Sequence, residues 1–188
     1  MHDQSPSIPS DSLPDALNSD IAAVLAYWQA KCADATPGPF PHLNDIGLMD
    51  LYKLAGNLLI CDVVREDDPQ PRYRWRYWGT SLTTFFGAEM SGRFIDDIYT
   101  PDAARKISSS YNWVLENKTI HYWHRHGGLA HDDKQHLQYE RLICPVLGKS
   151  GEIDHLFGII TFEDRRKSQR SPIGNHSGKG YKNSIPEL

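Results

Sequence analysis

Residues 71–79, PRYRWRYWG, carry the most regular pattern in the chain, because aromatic and basic side chains alternate through them. The aromatic positions are Tyr73, Trp75 and Tyr77, and the basic positions are Arg72, Arg74 and Arg76. Since successive side chains of a β-strand point to opposite faces of a sheet, this period of two predicts a strand with a buried aromatic face. The arginine face then meets water or a partner, and Trp75 is expected in the core.

The residues upstream of this strand predict one more strand and two helices. Residues 58–64, LLICDVV, are apolar and β-branched, which favours a buried strand. Residues 19–33 form an amphipathic helix with Ser19 as its cap, and its apolar stripe comprises Ile21, Val24, Leu25 and Trp28. A short helix is expected across residues 47–54.

Downstream, the pattern changes to helical turns and then returns to strands. Residues 80–99 read as short helical turns, and a longer helix begins at the cap Thr100 with Pro101 in its first position. Three strands are predicted at 119–126, 136–147 and 155–164. The order predicts an α+β fold with an antiparallel sheet of about five strands, a helical crossover on one face and an N-terminal flanking helix.

The ends of the chain differ in composition from this central part. Residues 1–17 are rich in Ser, Pro and Asp, which predicts a flexible N-terminal arm. Residues 165–188 are rich in Gly, Ser and Lys, which predicts a disordered basic tail. A single domain over 18–164 is therefore expected.

Charge and hydropathy exclude several classes of partner. The net charge of −4 provides no field that attracts nucleic acid or an anionic membrane. The longest apolar stretch, 58–64, is far shorter than the roughly 20 residues that span a bilayer. The start of the chain does not resemble a signal peptide, so a cytoplasmic protein is expected. Cys32, Cys61 and Cys144 are widely spaced and are predicted to be buried free thiols.

Particular residues resemble a known family. The stretch Tyr73 to Thr80, followed by Phe86-Gly87 and by Met90-Ser91-Gly92-Arg93, is similar to a branch of small stand-alone bacterial PAS proteins. Asn44-Asp45-Ile46, and Glu140-Arg141-Leu142 before Pro145, are similar too. The resemblance covers roughly residues 21–164. It implies a PAS-like sensory and regulatory module that acts by binding a small ligand or a protein, without an output domain in this chain.

The resemblance also implies where a ligand would bind. PAS domains hold ligands between the sheet and the helical segment, so aromatic side chains there are expected to line a pocket for a flat or acyl hydrophobic ligand. The same rings could instead fill the space completely. The predicted lining residues are Tyr77, Phe86, Tyr99, Trp113, His121 and Trp123.

Two other functions compete with this one. Five histidines, among them His121, His124 and His126, suggest a haem or metal sensor, with His121 or His124 as axial ligand. Only His124 and His126 share a strand face, however, and a metal site usually needs three or four ligands. The other alternative is an enzyme for a small hydrophobic substrate, with His121 or Asp62 as general base.

The sequence favours binding over catalysis. It contains no P-loop, no Gly-x-Ser-x-Gly elbow and no dinucleotide fingerprint, so we predict no enzymatic activity and no required cofactor. A flavin-adduct photosensor would need a cysteine between residues 80 and 118, and the sequence has none there. The adjacent Asp96 and Asp97 would point about 100° apart on a helix and are expected to face solvent.

Partners are predicted from two surfaces. The arginine stripe is expected to pair across strands with Glu140, or to accept an acidic partner or an anion, and a signalling protein is a candidate partner of the chain. The apolar stripe of the first helix is expected to pack on the sheet or on the same helix of a second chain. A homodimer through this helix is therefore predicted.

Overall fold

A computed structural model describes residues 13–14, 16–35, 38–66, 70–126 and 137–164, without the side chains of 125, 126, 137, 138 and 164. The predictions of an N-terminal arm and a C-terminal tail therefore lie mostly outside the described residues. Among the described residues of the predicted arm, Leu13 and Leu17 are half-buried against the sheet layer that contacts the first helix. No helix within the described ranges is long and apolar enough to cross a membrane.

The helices and strands follow the predicted order. The short helix predicted across residues 47–54 is instead a 3₁₀ turn, Leu48–Leu51. Two further 3₁₀ turns lie at Leu43–Asp45 and Ala55–Asn57. The helices are α1 (Ser19–Asp34), α2 (Thr80–Phe86), α3 (Ile95–Ile98) and α4 (Pro101–Asn117). The strands are β1 (Leu58–Val64), β2 (Arg72–Trp78), β3 (His121–His126), β4 (Leu137–Leu147) and β5 (Ile153–Asp164).

The five strands form one antiparallel sheet in the order β2-β1-β5-β4-β3. This confirms the predicted α+β class and strand number. The C-terminal strand β5 lies at the centre, where it pairs with both β1 and β4. Gly158 of β5 is required between these two strands, because a Cβ there would collide with the carbonyl oxygen of Leu142.

Each face of the sheet carries its own apolar layer. On the inner face, side chains of the strands pack against α2, α3 and α4. On the outer face, they pack against α1 and the 3₁₀ turns. Both layers depend on the alternation of side chains along β1, β4 and β5, in which neighbouring residues are buried on opposite faces.

Helix α1 covers the outer face with the stripe that the sequence predicts. Ile21, Val24, Leu25 and Trp28 are all buried, and the Trp28 indole nitrogen donates to the Pro145 carbonyl oxygen at 2.9 Å. The cap is Asn18 rather than Ser19, since the Asn18 side chain accepts from the amide of Asp20. Of the two predicted packings of the stripe, the structure shows the one against the chain's own sheet. A homodimer through α1 stays a prediction.

Strand β2 departs from strict alternation at Arg76. Cys61 of β1 lies opposite Trp75, whereas Ile60 lies opposite Tyr77, so Arg76 is the extra residue of a β-bulge. The bulge moves Tyr77 to the outer layer and Trp78 to the inner one. The prediction that Tyr77 shares a face with Trp75 is therefore wrong, because a period of two holds only while the register holds.

The arginines of β2 are held by aspartates. Asp62, whose side chain is 7% exposed, accepts from Arg74 Nη2 at 3.0 Å, from Arg76 Nε at 2.6 Å and from His155 Nδ1 at 2.9 Å. Burial alone would raise the pKa of Asp62, but the hydrogen bonds from His155, Arg76 and Arg74 outweigh it and hold the pKa well below its usual value.

The acidic partner expected for this stripe was Glu140, and the strand order corrects that prediction. Glu140 lies on β4, two strands away from β1, and accepts a hydrogen bond from the Tyr122 hydroxyl. Arg72 pairs instead with Asp96 and Asp97, whose side chains are about half exposed. The prediction that these two carboxylates face solvent is confirmed.

Truncation of Trp75 tests the inner layer. The Trp75 residue is 2% exposed, so Trp75→Ala should lower the free energy of unfolding by about 3 to 5 kcal/mol in urea denaturation. Tyr52→Ala, at a residue 62% exposed, is the control and should have little effect. A loss below about 1 kcal/mol for Trp75→Ala would contradict the assignment of the inner face.

Removal of the Asp62 charge tests the outer-face ion pairs. Because the pKa of folded Asp62 is lowered, its stabilisation is present above the ordinary pKa near ~4 and is lost as the pH falls through the folded value. Asp62→Asn should cost about 2 kcal/mol at pH 7, less than a fully buried pair because both guanidinium groups are nearly half exposed. The deficit relative to wild type should shrink below about pH 4.

Asp102→Asn is the matched control, since the ion pairs of Asp102 join side chains that are 66 to 78% exposed. It should leave stability almost unchanged at every pH. A deficit for Asp62→Asn that is equally large at pH 7 and at pH 2 to 3 would contradict an electrostatic role for Asp62.

Candidate functional site: the aromatic cup

The candidate site is the space between the inner face of the sheet and helices α2 to α4, which we call the aromatic cup. Strand β2 supplies Trp75 and Trp78, and α4 supplies Tyr111. Hydrogen bonds tie the chain after α2 to β2, because the amide of Gly92 donates to the carbonyl of Trp75 and the amide of Trp75 donates to the carbonyl of Arg93. Gly92, at φ 82°, allows the left-handed turn that this contact requires.

The deep part of the cup is filled by rings. Trp75 lies 4.7 Å from Trp78 and 6.0 Å from Tyr111 between ring centroids. Tyr73 contacts Tyr111 edge to face at 5.1 Å. The sequence left two alternatives open, a lined pocket or a filled one, and this packing favours the filled one for the deep part.

The packing nevertheless leaves buried donors without acceptors. Within the described ranges, the indole N–H groups of Trp75 and Trp78 and the Nε–H of Arg141 are buried and have no hydrogen-bond partner. All three groups belong to residues of one contiguous cluster, since Tyr111 contacts both Trp75 and Arg141. Each such donor costs about 1 to 3 kcal/mol, so an acceptor that entered the cup would be stabilised.

Arg141 is a positive charge inside this aromatic environment. Its Nη2 donates to the Ser110 hydroxyl at 2.8 Å, and its guanidinium carbon lies 5.7 Å from the Tyr111 ring and 5.9 Å from the Trp123 ring. Alternation along β4 places Arg141 on the same face as Tyr139 and Ile143. Arg141 was not predicted as a site residue, although its spacing from Tyr139 predicts a shared face.

A strip of rings leads from Arg141 across the sheet to α2. Trp123 contacts Tyr139 at 5.0 Å, Tyr139 contacts Phe162 at 5.4 Å, and Phe162 stacks on Phe85 at 3.5 Å. At its far end, Phe85 and Phe162 join Ser81 and Thr84 in lining an open groove of about 490 Å³. The strip therefore connects a charged group to a groove that is open to solvent.

The predicted lining residues divide between the two faces. Phe86, Tyr99, Trp113 and Trp123 are half-buried against the inner layer. His121 is buried against the Trp113 ring at 5.7 Å, whereas Tyr77 packs on the outer face because of the bulge in β2. The residues that sequence reasoning missed, Tyr111, Tyr139, Arg141 and Phe162, come from α4, β4 and β5.

The histidines of β3 do not converge on one site. Burial, together with the nearby charge of Arg141, lowers the pKa of His121 to about 3, so its imidazole is neutral. His121 faces the cup, and His124 is on the opposite face beside Glu140, its cross-strand neighbour. No group of three or more metal-binding side chains occurs among the described residues; His131, His136 and the side chain of His126 lie outside them.

The two residues considered as a general base are also separated. Asp62 is on the outer face, bound to two arginines and a histidine, and His121 is on the inner face. The neighbouring tyrosines have pKa values raised by burial, to about 12 for Tyr99 and well above the usual value for Tyr111. These groups are poor proton acceptors near neutral pH.

Comparison with solved structures finds similar proteins at low sequence identity. One is a light-oxygen-voltage domain studied with a flavin analogue, at 15% identity and a TM-score of 0.38, over 65% of this chain and 87% of that chain. Another is an RNA-binding light-oxygen-voltage receptor, at 14% identity and a TM-score of 0.40, over 86% of this chain and 39% of that chain. No curated protein gives a significant match.

A family model for the PAS domain matches residues 18–161. The matched segment begins at the cap of α1 and ends in β5, so it takes in both layers of the sheet and the whole helical crossover. The chain therefore belongs to the PAS domain family.

Proposed function

We propose that this PAS domain is a sensory module that binds a small ligand in the aromatic cup and passes the signal to another protein. The observation that carries the proposal is the set of buried donors on Trp75, Trp78 and Arg141 that no described residue satisfies. A close-packed apolar core gains nothing from such groups, whereas a binding site uses a few of them to orient its ligand.

The ligand would enter along the open end of the cup. The groove beside Phe85 and Phe162 is accessible to solvent, and the half-buried ring of Phe86 contacts both of these residues and Trp78 of the deep layer. Because the deep rings are in contact, a ligand must displace some of them, and that displacement is the structural change available for signalling. A shift of β2 caused by that displacement would reach residues 92–93 through their main-chain hydrogen bonds with Trp75.

Binding without catalysis is part of the proposal. The charged group of the cup is Arg141, which cannot accept a proton, and His121 is neutral with its pKa lowered to about 3 by burial and by Arg141. A small-molecule sensor needs an orienting charge and an apolar surface, and both are present here. The homodimer, the signalling partner and the cytoplasmic location stay predictions.

Indole N–H signals in ¹H–¹⁵N NMR spectra test ligand binding in the cup. Titration with small organic molecules should shift the signals of Trp75 and Trp78, because their donors lie in the proposed site. The Trp28 indole is the internal control: it is also buried, but it donates to Pro145 on the outer face and should not move. Shifts of all three together, or shifts of Trp28 alone, would contradict binding in the cup.

A further inference from the structure

We infer that the ligand of the cup is an organic acid whose carboxylate pairs with Arg141 and whose apolar body lies along the strip of rings from Trp123 to Phe85. The inference rests on the proposed function and adds the chemical class of the ligand. It depends on three features of the inner face: an uncompensated cation, a donor geometry suited to a carboxylate and the direction of the ring strip.

The first feature is the missing counter-charge. In the part of the chain that the structure describes, no carboxylate forms an ion pair with Arg141. The arginines of β2 and Arg65, which directly follows β1, differ in this respect, since Arg65, Arg72, Arg74 and Arg76 each bind an aspartate. A partly desolvated cation without an anion is unfavourable, and an anion supplied by a ligand removes that penalty.

The second feature is the donor geometry of the guanidinium group. The hydroxyl of Ser110 accepts from Nη2 of Arg141, and the same hydroxyl donates to the Ile107 carbonyl, so one edge of the group is held in place. The buried Nε–H is left over within the described residues. A planar carboxylate matches two parallel N–H groups of a guanidinium better than a single carbonyl or hydroxyl does.

The third feature is the direction of the ring strip. From Arg141 the strip passes over β3, β4 and β5 through Trp123, Tyr139 and Phe162, and neighbouring strands are about 4.8 Å apart. It therefore offers roughly 10 to 15 Å of aromatic surface beside one fixed positive charge. A medium-length acyl chain or an aromatic acid has this shape, with one anionic end and a flat or flexible apolar body.

A comparison of acids with their amides tests the inference. The probes are octanoate and phenylacetate, with octanamide and phenylacetamide as neutral controls of the same size, titrated at pH 7 with the Trp75 and Trp78 indole signals as readout. Both acids are ionised at this pH. We expect each acid to bind at least about tenfold more tightly than its amide, because only the acid forms the charge-assisted pair.

Variants locate the preference at Arg141. Arg141→Met keeps much of the side-chain volume, removes the charge and should abolish the difference between acid and amide. Arg105→Met is the matched control, because Arg105 is exposed on α4 and should leave the preference unchanged. Arg141→Lys keeps the charge without the planar fork and should reduce the preference without abolishing it, so it serves if the Met variant does not fold by circular dichroism.

The outcomes separate the inference from the proposed function. Equal affinity for acid and amide in the wild-type protein, with Trp75 and Trp78 shifting in both, would overturn the organic-acid inference while ligand binding in the cup stands. A preference for acids that survives in Arg141→Met would overturn it as well. The absence of any shift of the two indole signals with all four probes would count against the proposed function itself.

Discussion

The burial of Trp75 is the interaction on which the rest of the structure depends. Its ring joins β2 to α4 through Tyr111, and its main chain holds the turn at Gly92 and Arg93 against the sheet edge. The helical crossover is therefore attached to the sheet by the same residue that forms the floor of the cup. The ring contact with Tyr111 and the main-chain hydrogen bonds to Gly92 and Arg93 therefore place one residue beside both α4 and the segment between α2 and α3.

The outer face is stabilised in a different way. There α1 covers the apolar side chains of the sheet, and Asp62 binds the guanidinium groups of Arg74 and Arg76. Arg74 and Arg76 both form ion pairs with Asp62, so these pairs stabilise the edge of the sheet. Arg141 on the inner face lacks such a partner among the described residues, and this contrast supports the proposal that it binds a ligand.

Much of the fold could be predicted from residue patterns. Alternation and β-branched residues located all five strands, and the Thr100-Pro101 pair located the start of α4. The bulge at Arg76 could not be predicted, because nothing in an alternating stretch shows where an extra residue enters the register; Tyr77 was therefore placed on the wrong face. Arg141 was missed for another reason: the absence of a counter-charge is a property of the assembled sheet and helices, and spacing along β4 does not reveal it.

Native mass spectrometry of the protein purified from cells tests the central claim most directly, with wild type and Arg141→Met prepared in parallel. If the cup binds an organic acid through Arg141, wild type should carry an added mass of a small molecule that disappears under denaturing conditions and is absent from Arg141→Met. A wild-type protein at the bare polypeptide mass, or the same added mass in both proteins, would contradict the claim.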